Sequence, residues 1–181
     1  MRQKPIYIVD IVGEIVTKAG VVLLPELQAV DPKIVGLNYQ YGGFKEVVTT
    51  LTQLTQVNAP KYPLVYLYMP FEENKGSTVG LDQSSPIRII IGMWSDPEQK
   101  AKERYENNFK RILYPVYLEL LNQIFLDKRF ATMSPDLIPH KKTDWPYWGG
   151  DSPPEQANPF NDWVDVIEIK DLNLLTYLKK C

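Results

Sequence analysis

Two apolar segments and one long helical pattern follow each other in residues 62–125, which read YPLVYLYMPFEENKGSTVGLDQSSPIRIIIGMWSDPEQKAKERYENNFKRILYPVYLELLNQIF. Residues 62–70 are apolar or aromatic at nearly every position, which is the composition of a strand covered on both faces. Residues 87–92 (IRIIIG) are β-branched and more apolar on one face, and they predict a second strand beside the first. Between them, residues 71–85 contain two glycines and several acids, which predict a long hairpin loop.

A long helix is predicted after the second strand. Asp96 can accept a hydrogen bond from the backbone N–H of Gln99, Pro97 suits the first helical position, and Glu98 meets the positive end of the helix dipole. Pro115 lies inside the helical pattern and predicts a kink. Large apolar residues recur at steps of three and four and predict a stripe that faces the core: Tyr105, Phe109, Ile112, Leu113, Val116, Leu120, Ile124 and Phe125.

Composition argues against several classes of protein. The 181 residues are 44% hydrophobic and 23% charged, which is ordinary for a globular chain of one domain. A net charge of −2 argues against nucleic-acid binding by bulk charge. One cysteine, Cys181, and one histidine, His140, exclude a disulfide framework, a cysteine-based zinc site and a two-histidine metal motif. No apolar run reaches the length of a membrane span, and we expect no signal peptide because Asp10 and Glu14 interrupt residues 6–16.

The N-terminal third predicts two helices. Residues 6–19 (IYIVDIVGEIVTKA) favour a helix that ends at Gly20, with a strand as the alternative because many of these residues are β-branched. Residues 21–36 contain Pro25 and Pro32 and show no sustained period, residues 38–43 predict a loop or a bulged edge, and residues 44–57 predict a second helix. The whole chain, residues 1–181, therefore predicts one α+β domain. In it, a small antiparallel or mixed sheet packs against a long kinked helix and N-terminal helices.

The C-terminal part begins with a loop rich in proline and aromatic residues. Residues 130–161 predict a long ordered loop, with residues 138–148 extended along the sheet edge, and residues 163–169 and 172–177 predict one long or two short strands. Because Trp and Tyr are enriched at the centres of interfaces, the aromatic cluster of this loop either caps the domain's own core or buries against another subunit. Its members are Trp145, Tyr147, Trp148 and Phe160.

Catalytic patterns are weak. The chain has no nucleophile elbow, no glycine-rich phosphate loop and no dinucleotide fingerprint. His140 is predicted to face solvent or to pack in its loop. The nearest enzymatic pattern is Glu168-Ile169-Lys170 with Pro135-Asp136 upstream, which is similar to the PD-(D/E)xK signature of metal-dependent nucleases.

Acidic residues recur in two places. Asp162, Asp165, Glu168 and Asp171 follow at steps of three, a spacing that alternates between the faces of a strand, so it favours acids that line a solvated or subunit-facing edge over a cation site. The predicted hairpin carries a second group, which is either a solvated loop or an acidic rim past which DNA slides: Glu72, Glu73 and Asp82.

The order of these elements resembles the tail-terminator and tail-completion proteins of tailed bacteriophages, whose small α+β subunits form rings at the head–tail junction. In that family a strand opened by proline, a second strand and a helix with a basic-apolar-Tyr-Pro turn follow in the order seen here in Tyr62-Pro63-Leu64-Val65, residues 87–92 and Arg111-Ile112-Leu113-Tyr114-Pro115-Val116. The chain is more similar still to neck or tail proteins of phages of gut Bacteroides relatives, crAss-like phages among them. The elements that carry this similarity are Tyr39-x-Tyr41-Gly42, Tyr62-Pro63-Leu64, Phe71-Glu72-Glu73, Asn158-Pro159-Phe160-Asn161-Asp162-Trp163 and Asp165-Val166-Ile167-Glu168-Ile169. The resemblance covers residues 39–174, and the chain departs from the short terminators in residues 20–55 and 130–161.

The resemblance implies a structural virion protein without catalysis, metal or cofactor. It implies a homo-oligomeric ring, six- or twelve-fold, in the neck or tail of the virion, made in the host cytoplasm and not in contact with a membrane. Its neighbours would be neck, tail or portal-adaptor proteins, and DNA would only pass through the lumen. A ring needs two different contact surfaces on each subunit, and the candidate residues lie in the hairpin and the aromatic loop: Phe71, Glu72, Glu73 and Leu81, and Trp145, Tyr147, Trp148 and Phe160.

Two alternatives from other classes stay open. One is a metal-dependent nuclease that uses Asp165, Glu168 and Lys170. The other is a cytosolic binding module that remains monomeric.

Overall fold

The computed structural model describes residues 7–57, 60–69, 73–74, 81–130, 134–146 and 163–177. In these residues a mixed sheet packs against helices, which confirms the predicted α+β class. The helices are α1 (Ile8–Val30), α2 (Phe44–Gln56), α3 (Ala101–Arg104), a π-helical segment (Tyr105–Leu113) and α4 (Tyr114–Leu126), with one 3₁₀ turn (Pro135–Leu137). The strands are β1 (Asn38–Gly42), β2 (Leu64–Tyr68), β3 (Glu73–Asn74), β4 (Leu81–Trp94), β5 (Lys141–Trp145) and β6 (Val164–Tyr177).

The sheet is built around its two longest strands, β4 and β6. Its order is β1-β2-β4-β6-β5; β1 and β2 are parallel, and the other pairs are antiparallel. Of the long strand β4, only residues 88–92 pair with β2. Of the long strand β6, only residues 166–170 pair with β5. Residues 81–84 and 174–177 therefore continue beyond both neighbours as a ribbon, to which β3 adds at Gln83 and Ser84. We call these three segments the β-arm.

Two bulges separate the β-arm from the rest of the sheet. Between Ser84 and Ile87 the extra residue lies in β4, and between Ile87 and Ile89 it lies in β6. Pro86, which has no N–H to donate, falls in the first bulge, and Asp171, whose φ of 53° is left-handed, falls in the second. Because the two extra residues lie in opposite strands, they offset each other and the β-arm keeps the register of the sheet.

Both faces of the central strands are covered, as predicted for residues 62–70. On one face, which we call the helix face, α1, the π-helical segment and α4 pack on one buried cluster with β2, β4 and β6. On the opposite face, Val47 and Leu51 of α2 cover part of β2, β4 and β6. The side chains of 64–67 are buried, which confirms the predicted core strand, whereas Met69 is already 36% exposed.

Helix α1 is longer than predicted. It continues through Gly20 and Pro25 to Val30, because its buried stripe also continues, through Ala19, Leu23 and Leu27. A Cβ at Gly20 would lie 3.5 Å from the Leu37 side chain, an ordinary contact distance, so this position tolerates a side chain and is an interior position of the helix rather than its end.

The long helix begins later than predicted and is irregular in another way. The Asp96 carboxylate accepts a hydrogen bond from the Glu98 N–H at 2.9 Å and closes a turn, and the helix starts only at Ala101. A continuous helix then runs to Leu126, and its irregularity is the π-helical segment that precedes Pro115. The Tyr114 N–H donates to the Phe109 carbonyl, five residues back, so the hydrogen-bond ladder has already shifted where the proline would disrupt it.

The two predicted loops both contain strands. Residues 73–74 form β3 and residues 81–85 begin β4. Pairing of β3 with β4, and of residues 81–84 with β6, satisfies backbone groups there although the sequence is largely polar. In the second loop, the predicted extended edge is confirmed as β5. Of residues 38–43, for which the sequence predicts a loop or a bulged edge, Asn38–Gly42 form the edge strand β1 and Gly43 is the N-cap of α2.

Candidate assembly interface

The sheet ends in two different lateral sides. Gln83 of β4 pairs with Leu175 of β6 on one side and with Asn74 of β3 on the other. Strand β3 therefore lies on the same side of β4 as β2 and β1, whereas β5 ends the sheet on the opposite side. We call these the hairpin side and the β5 side.

The predicted interface residues divide between these two sides where the structure describes them. Glu73 lies in β3 opposite Ser84, and Leu81 begins β4 opposite Tyr177, so both belong to the β-arm. Trp145 is the last residue of β5 and is 40% exposed. The remaining candidates lie outside the described residues: Phe71, Glu72, Tyr147, Trp148 and Phe160.

Trp145 is held by a buried carboxylate. Its indole N–H donates to Oε2 of Glu168 at 2.9 Å, and the Lys170 Nζ lies 3.0 Å from the same oxygen. The other carboxylate oxygen accepts from the guanidinium of Arg88, which also lies over the ring of Tyr68 at 5.0 Å. Glu168 is 1% exposed, whereas the side chains of Arg88 and Lys170 are 36% and 40% exposed. The carboxylate thus fixes two cations and a tryptophan at the surface.

The partners of Glu168 keep it ionised. Burial by itself would raise the pKa of this carboxyl, but the hydrogen bonds from Lys170 and Trp145 and the charge of Arg88 outweigh burial and hold the pKa below its usual range. A permanently charged carboxylate suits a positioning role, since it keeps both cations in place across the physiological pH range.

The prediction that the acids of β6 line a solvated or subunit-facing edge is wrong for two of them. Asp165 and Glu168 are both buried, because β6 is flanked by β4 and β5 rather than lying at an edge. Asp165 lies on the helix face, where it accepts from the Asn108 amide at 2.7 Å and lies 3.6 Å from Nη1 of Arg104. Asp171 does face solvent in part and pairs with Lys141 at 2.6 Å, and Asp162 lies outside the described residues.

The geometry of these acids does not favour the nuclease alternative. Asp165 packs under the long helix, and Glu168 lies on the opposite face of the sheet with Trp145, so the two carboxylates do not converge on one cation. Asp136 is exposed in the 3₁₀ turn. Within the described ranges, no group of three or more acidic, histidine or cysteine side chains is placed to hold a metal ion.

Strand β5 is anchored to α4 by polar and aromatic side chains. Asp144 accepts from the hydroxyl of Tyr114 at 2.8 Å and from the Lys142 ammonium, which lies over the Tyr114 ring at 4.8 Å. Burial and the bond to Asp144 raise the pKa of Tyr114 to about 12. His140 is half-buried and bonds the Tyr117 hydroxyl at 2.7 Å, which agrees with its predicted packing in the loop.

A groove beside β1 was not predicted from the sequence. It has a volume of about 650 Å³ and lies between α1 and the rings of Tyr39 and Tyr41. The Tyr39 hydroxyl donates to the Val9 carbonyl at 2.9 Å, and a Cβ at Gly13 would lie 3.0 Å from the Tyr39 ring. The sequence does contain a pattern that indicates this groove: Tyr39 and Tyr41 are two residues apart and precede Gly42, which ends the strand. Side chains two residues apart lie on the same face of a strand, so both rings lie on one face of this edge strand.

The sequence patterns also did not predict Arg88 and Trp94 as surface residues. Arg88 is the only charged residue in the isoleucine-rich residues 87–92 of β4, and such a charge needs a partner, which is Glu168. Trp94 is 48% exposed at the end of β4. A lone charge in an apolar strand was therefore the signal for the cluster around Glu168.

A scan against protein-family models finds no match for the chain, and a search of curated proteins finds no significantly similar sequence. In the part of the chain that the structure describes, every helix is too short or too polar to cross a membrane.

Proposed function

We propose that this chain is a structural protein of a bacteriophage virion, a subunit of a homo-oligomeric ring in the neck or tail through which DNA passes. The observation that carries the proposal is that described residues of the two predicted contact regions lie on opposite lateral sides of one sheet. Glu73 lies in β3 on the hairpin side, and exposed Trp145 ends β5 on the other side. Identical subunits close into a ring by head-to-tail contacts, which require two different surfaces on opposite sides.

The surface around Trp145 supports this role. Tryptophan is enriched among the residues that dominate binding energy, and here its ring is held in place by Glu168 before any partner arrives. A side chain that is fixed beforehand loses less conformational entropy when a neighbour covers it. Such a residue is therefore a better contact for a subunit than a mobile aromatic side chain would be.

Charge supports contact between the two sides. Arg88 and Lys170 bind the same carboxylate as Trp145, and their side chains are 36% and 40% exposed. The predicted hairpin contributes Glu72 and Glu73. Opposite charges on two surfaces favour the correct pairing and suppress contact between like surfaces. The acidic hairpin side and the basic, aromatic β5 side are thus complementary in charge.

The proposed function is tested by locating the chain in particles. A tagged copy, supplied to the phage that encodes it, should label the junction of head and tail in electron micrographs of intact virions. A matched copy with Trp145→Ala should fold but label fewer particles. The proposal is overturned if purified virions contain no copy of the chain, and it is revised to another virion position if the label lies elsewhere.

The two other classes have direct tests. Purified chain that cleaves plasmid DNA with Mg²⁺, and loses this activity in Glu168→Gln, would favour the nuclease. Chain that is absent from virions and monomeric by light scattering would favour a binding module.

A further inference from the structure

We propose that β1 of one copy pairs with β5 of the next copy as antiparallel strands, so that the sheet continues from subunit to subunit. This inference rests on the proposed ring, whose contact it specifies. Both strands have five residues and end the sheet, and within the described ranges no strand pairs with their outer edges. Unpaired edges of this kind are templates for another strand.

The backbone of β1 points outward at two residues. The Asn38 N–H donates to the Pro63 carbonyl at 2.9 Å, and the Gly42 carbonyl accepts from the Met69 N–H at 2.9 Å. Residues 38 and 42 thus direct their backbone groups toward β2. Because these directions alternate along a strand, the N–H and C=O groups of Tyr39 and Tyr41 point away from the sheet.

The backbone of β5 points outward at two residues as well. The Ser95 N–H donates to the Trp163 carbonyl at 2.9 Å, which sets the alternation along residues 163–170 of β6, before its bulge: odd residues bond β4, and even residues bond β5. Strand β5 pairs Trp145, Thr143 and Lys141 with the even residues of β6. The groups that point away from the sheet therefore belong to the two residues between them, 142 and 144.

One register brings these outward groups together. If the two strands overlap fully in antiparallel direction, Tyr41 lies opposite Lys142 and Tyr39 opposite Asp144. Each such pair exchanges both of its backbone hydrogen bonds. A shift by one residue would set outward groups of one strand against inward groups of the other, and would also place side chains on the wrong face.

The faces of the two strands agree in the same register. Tyr39 packs against the core of the helix face. Tyr41 is two residues further along the strand and therefore lies on the same face. Lys142 and Asp144 lie on that face too, because they pair with Ile169 and Ile167 of the same core. A sheet continued in this register keeps its helix face continuous across the contact.

Side-chain positions fit this pairing. In this register the methylene stem of Lys142 of the next copy would lie beside the ring of Tyr41, which is 54% exposed, while the Lys142 ammonium stays on Asp144. Lysines at a strand edge often oppose pairing, but Lys142 folds back onto Tyr114 and Asp144 and does not block its own edge.

Strand direction fits a ring. The pairings along the sheet make β1 and β5 antiparallel within one subunit. Rotation about an axis along the strands preserves these directions, so β5 of one copy meets β1 of the next in antiparallel orientation. The contact is head-to-tail, as ring closure requires.

The test uses disulfide cross-linking of the full chain. Gln40 and Thr143 form the central pair of the proposed register, and an antiparallel pair of this type has a Cα separation of about 4.5 Å, within the range of about 4.4–6.8 Å that disulfides span. In a Cys181→Ser background, the double variant with Gln40→Cys and Thr143→Cys should give a ladder of covalent oligomers after mild oxidation. The ladder should return to monomer on reduction.

Three controls make the result specific. Gln40→Cys alone and Thr143→Cys alone should stay monomeric, because head-to-tail contact never brings like strands together. Gln40→Cys combined with Lys142→Cys places the thiols on opposite faces and should cross-link far less. Equal ladders from this control and from the in-register pair would overturn the register.

The remaining outcomes separate this inference from the proposed function. Covalent dimers from either single variant would show like strands in contact and overturn head-to-tail pairing. Oligomers by light scattering without Gln40–Thr143 cross-links would overturn the strand pairing and leave the ring. Monomers without cross-links at every concentration would also overturn the pairing, while the presence of the chain in virions is decided by the tagged copy.

Discussion

Two acids three residues apart on β6 lie in contrasting surroundings. Asp165 lies under the long helix, where Asn108 and Arg104 are themselves buried. Glu168 is equally buried, but its partners Arg88 and Trp145 reach the surface. The two buried carboxylates therefore have different roles. Asp165 joins a helix to the sheet inside the fold, whereas Glu168 fixes side chains that another molecule can contact.

The largest expected effect follows from removing the enclosed carboxylate. Asp165→Ala removes the carboxylate beside the buried Arg104 guanidinium and the acceptor of the Asn108 amide, which should lower the free energy of unfolding by about 3–5 kcal/mol. Urea denaturation followed by circular dichroism measures the loss. Asp165→Asn is the matched control, since it keeps an acceptor for Asn108 and should lose less. A loss below about 1 kcal/mol in the alanine variant would mean that this cluster does not hold the helix.

Removing the exposed aromatic should act on assembly more than on folding. Trp145→Ala should weaken self-association by about tenfold or more, as expected for a tryptophan at an interface centre, and should leave the circular dichroism spectrum unchanged. Light scattering across a concentration series measures the association. Trp94→Ala is the control, because Trp94 is similarly exposed but lies on β4 away from the β5 edge.

The Trp145 variant also decides between the two roles left open for the aromatic cluster. Collapse of the fold in Trp145→Ala would place this residue in the subunit's own core. Equal association of Trp94→Ala and Trp145→Ala would mean that the β5 side is not the contact.

Neutralising the second carboxylate should have an intermediate effect. Glu168→Gln keeps the shape of the side chain but removes the negative charge that Arg88 and Lys170 share, at a cost of about 1–3 kcal/mol. The value should lie below that of Asp165→Ala, because solvent reaches both cations and screens them. A loss as large as that of Asp165→Ala would remove the contrast between the two sites.

Acid should produce the smallest change. The pKa of Glu168 is held below its usual range in the folded chain, so the unfolded chain binds more protons as the pH falls. Its contribution to stability is complete above the unfolded pKa, near 4.5, and is lost as the pH falls through the folded pKa. Denaturation between pH 7 and 3 should show this decline, and Glu168→Gln should flatten part of it. Asp127 behaves in the same sense, because hydrogen bonds from Arg129 lower its pKa, so some decline should persist in the variant.

The sequence predicted those elements whose evidence is local. The apolar run of β2, the periodicity of α2 and the start of α1 each depend on neighbours within one turn or one strand. The burial of Glu168 could not be predicted in this way, because it depends on Arg88, which is 80 residues away in the chain. For the same reason Asp165 was predicted at an edge, although Asn108, 57 residues away, encloses it.

In two further places backbone hydrogen bonding overrides propensity. Residues 82–85 are polar and precede a proline, yet they belong to a strand because β6 supplies hydrogen-bond partners to this part of β4. Pro115 predicted a kink at its own position, but the backbone adapts before it through the π-helical segment. Of the predicted interface, the structure places Glu73, Leu81 and Trp145 on two opposite sides of the sheet, a relation that only the strand order provides.

The offsetting bulges at Pro86 and Asp171 have a mechanical consequence. Since neither strand is interrupted and their register is restored beyond the bulges, the β-arm joins the sheet through two continuous backbones rather than through a joint. A pull along the β-arm would load the hydrogen bonds between β4 and β6 in shear, many at once, instead of opening them one by one. Tension applied to the described residues of β4 in the β-arm would therefore reach β6, the strand that carries both Asp165 and Glu168, through these hydrogen bonds.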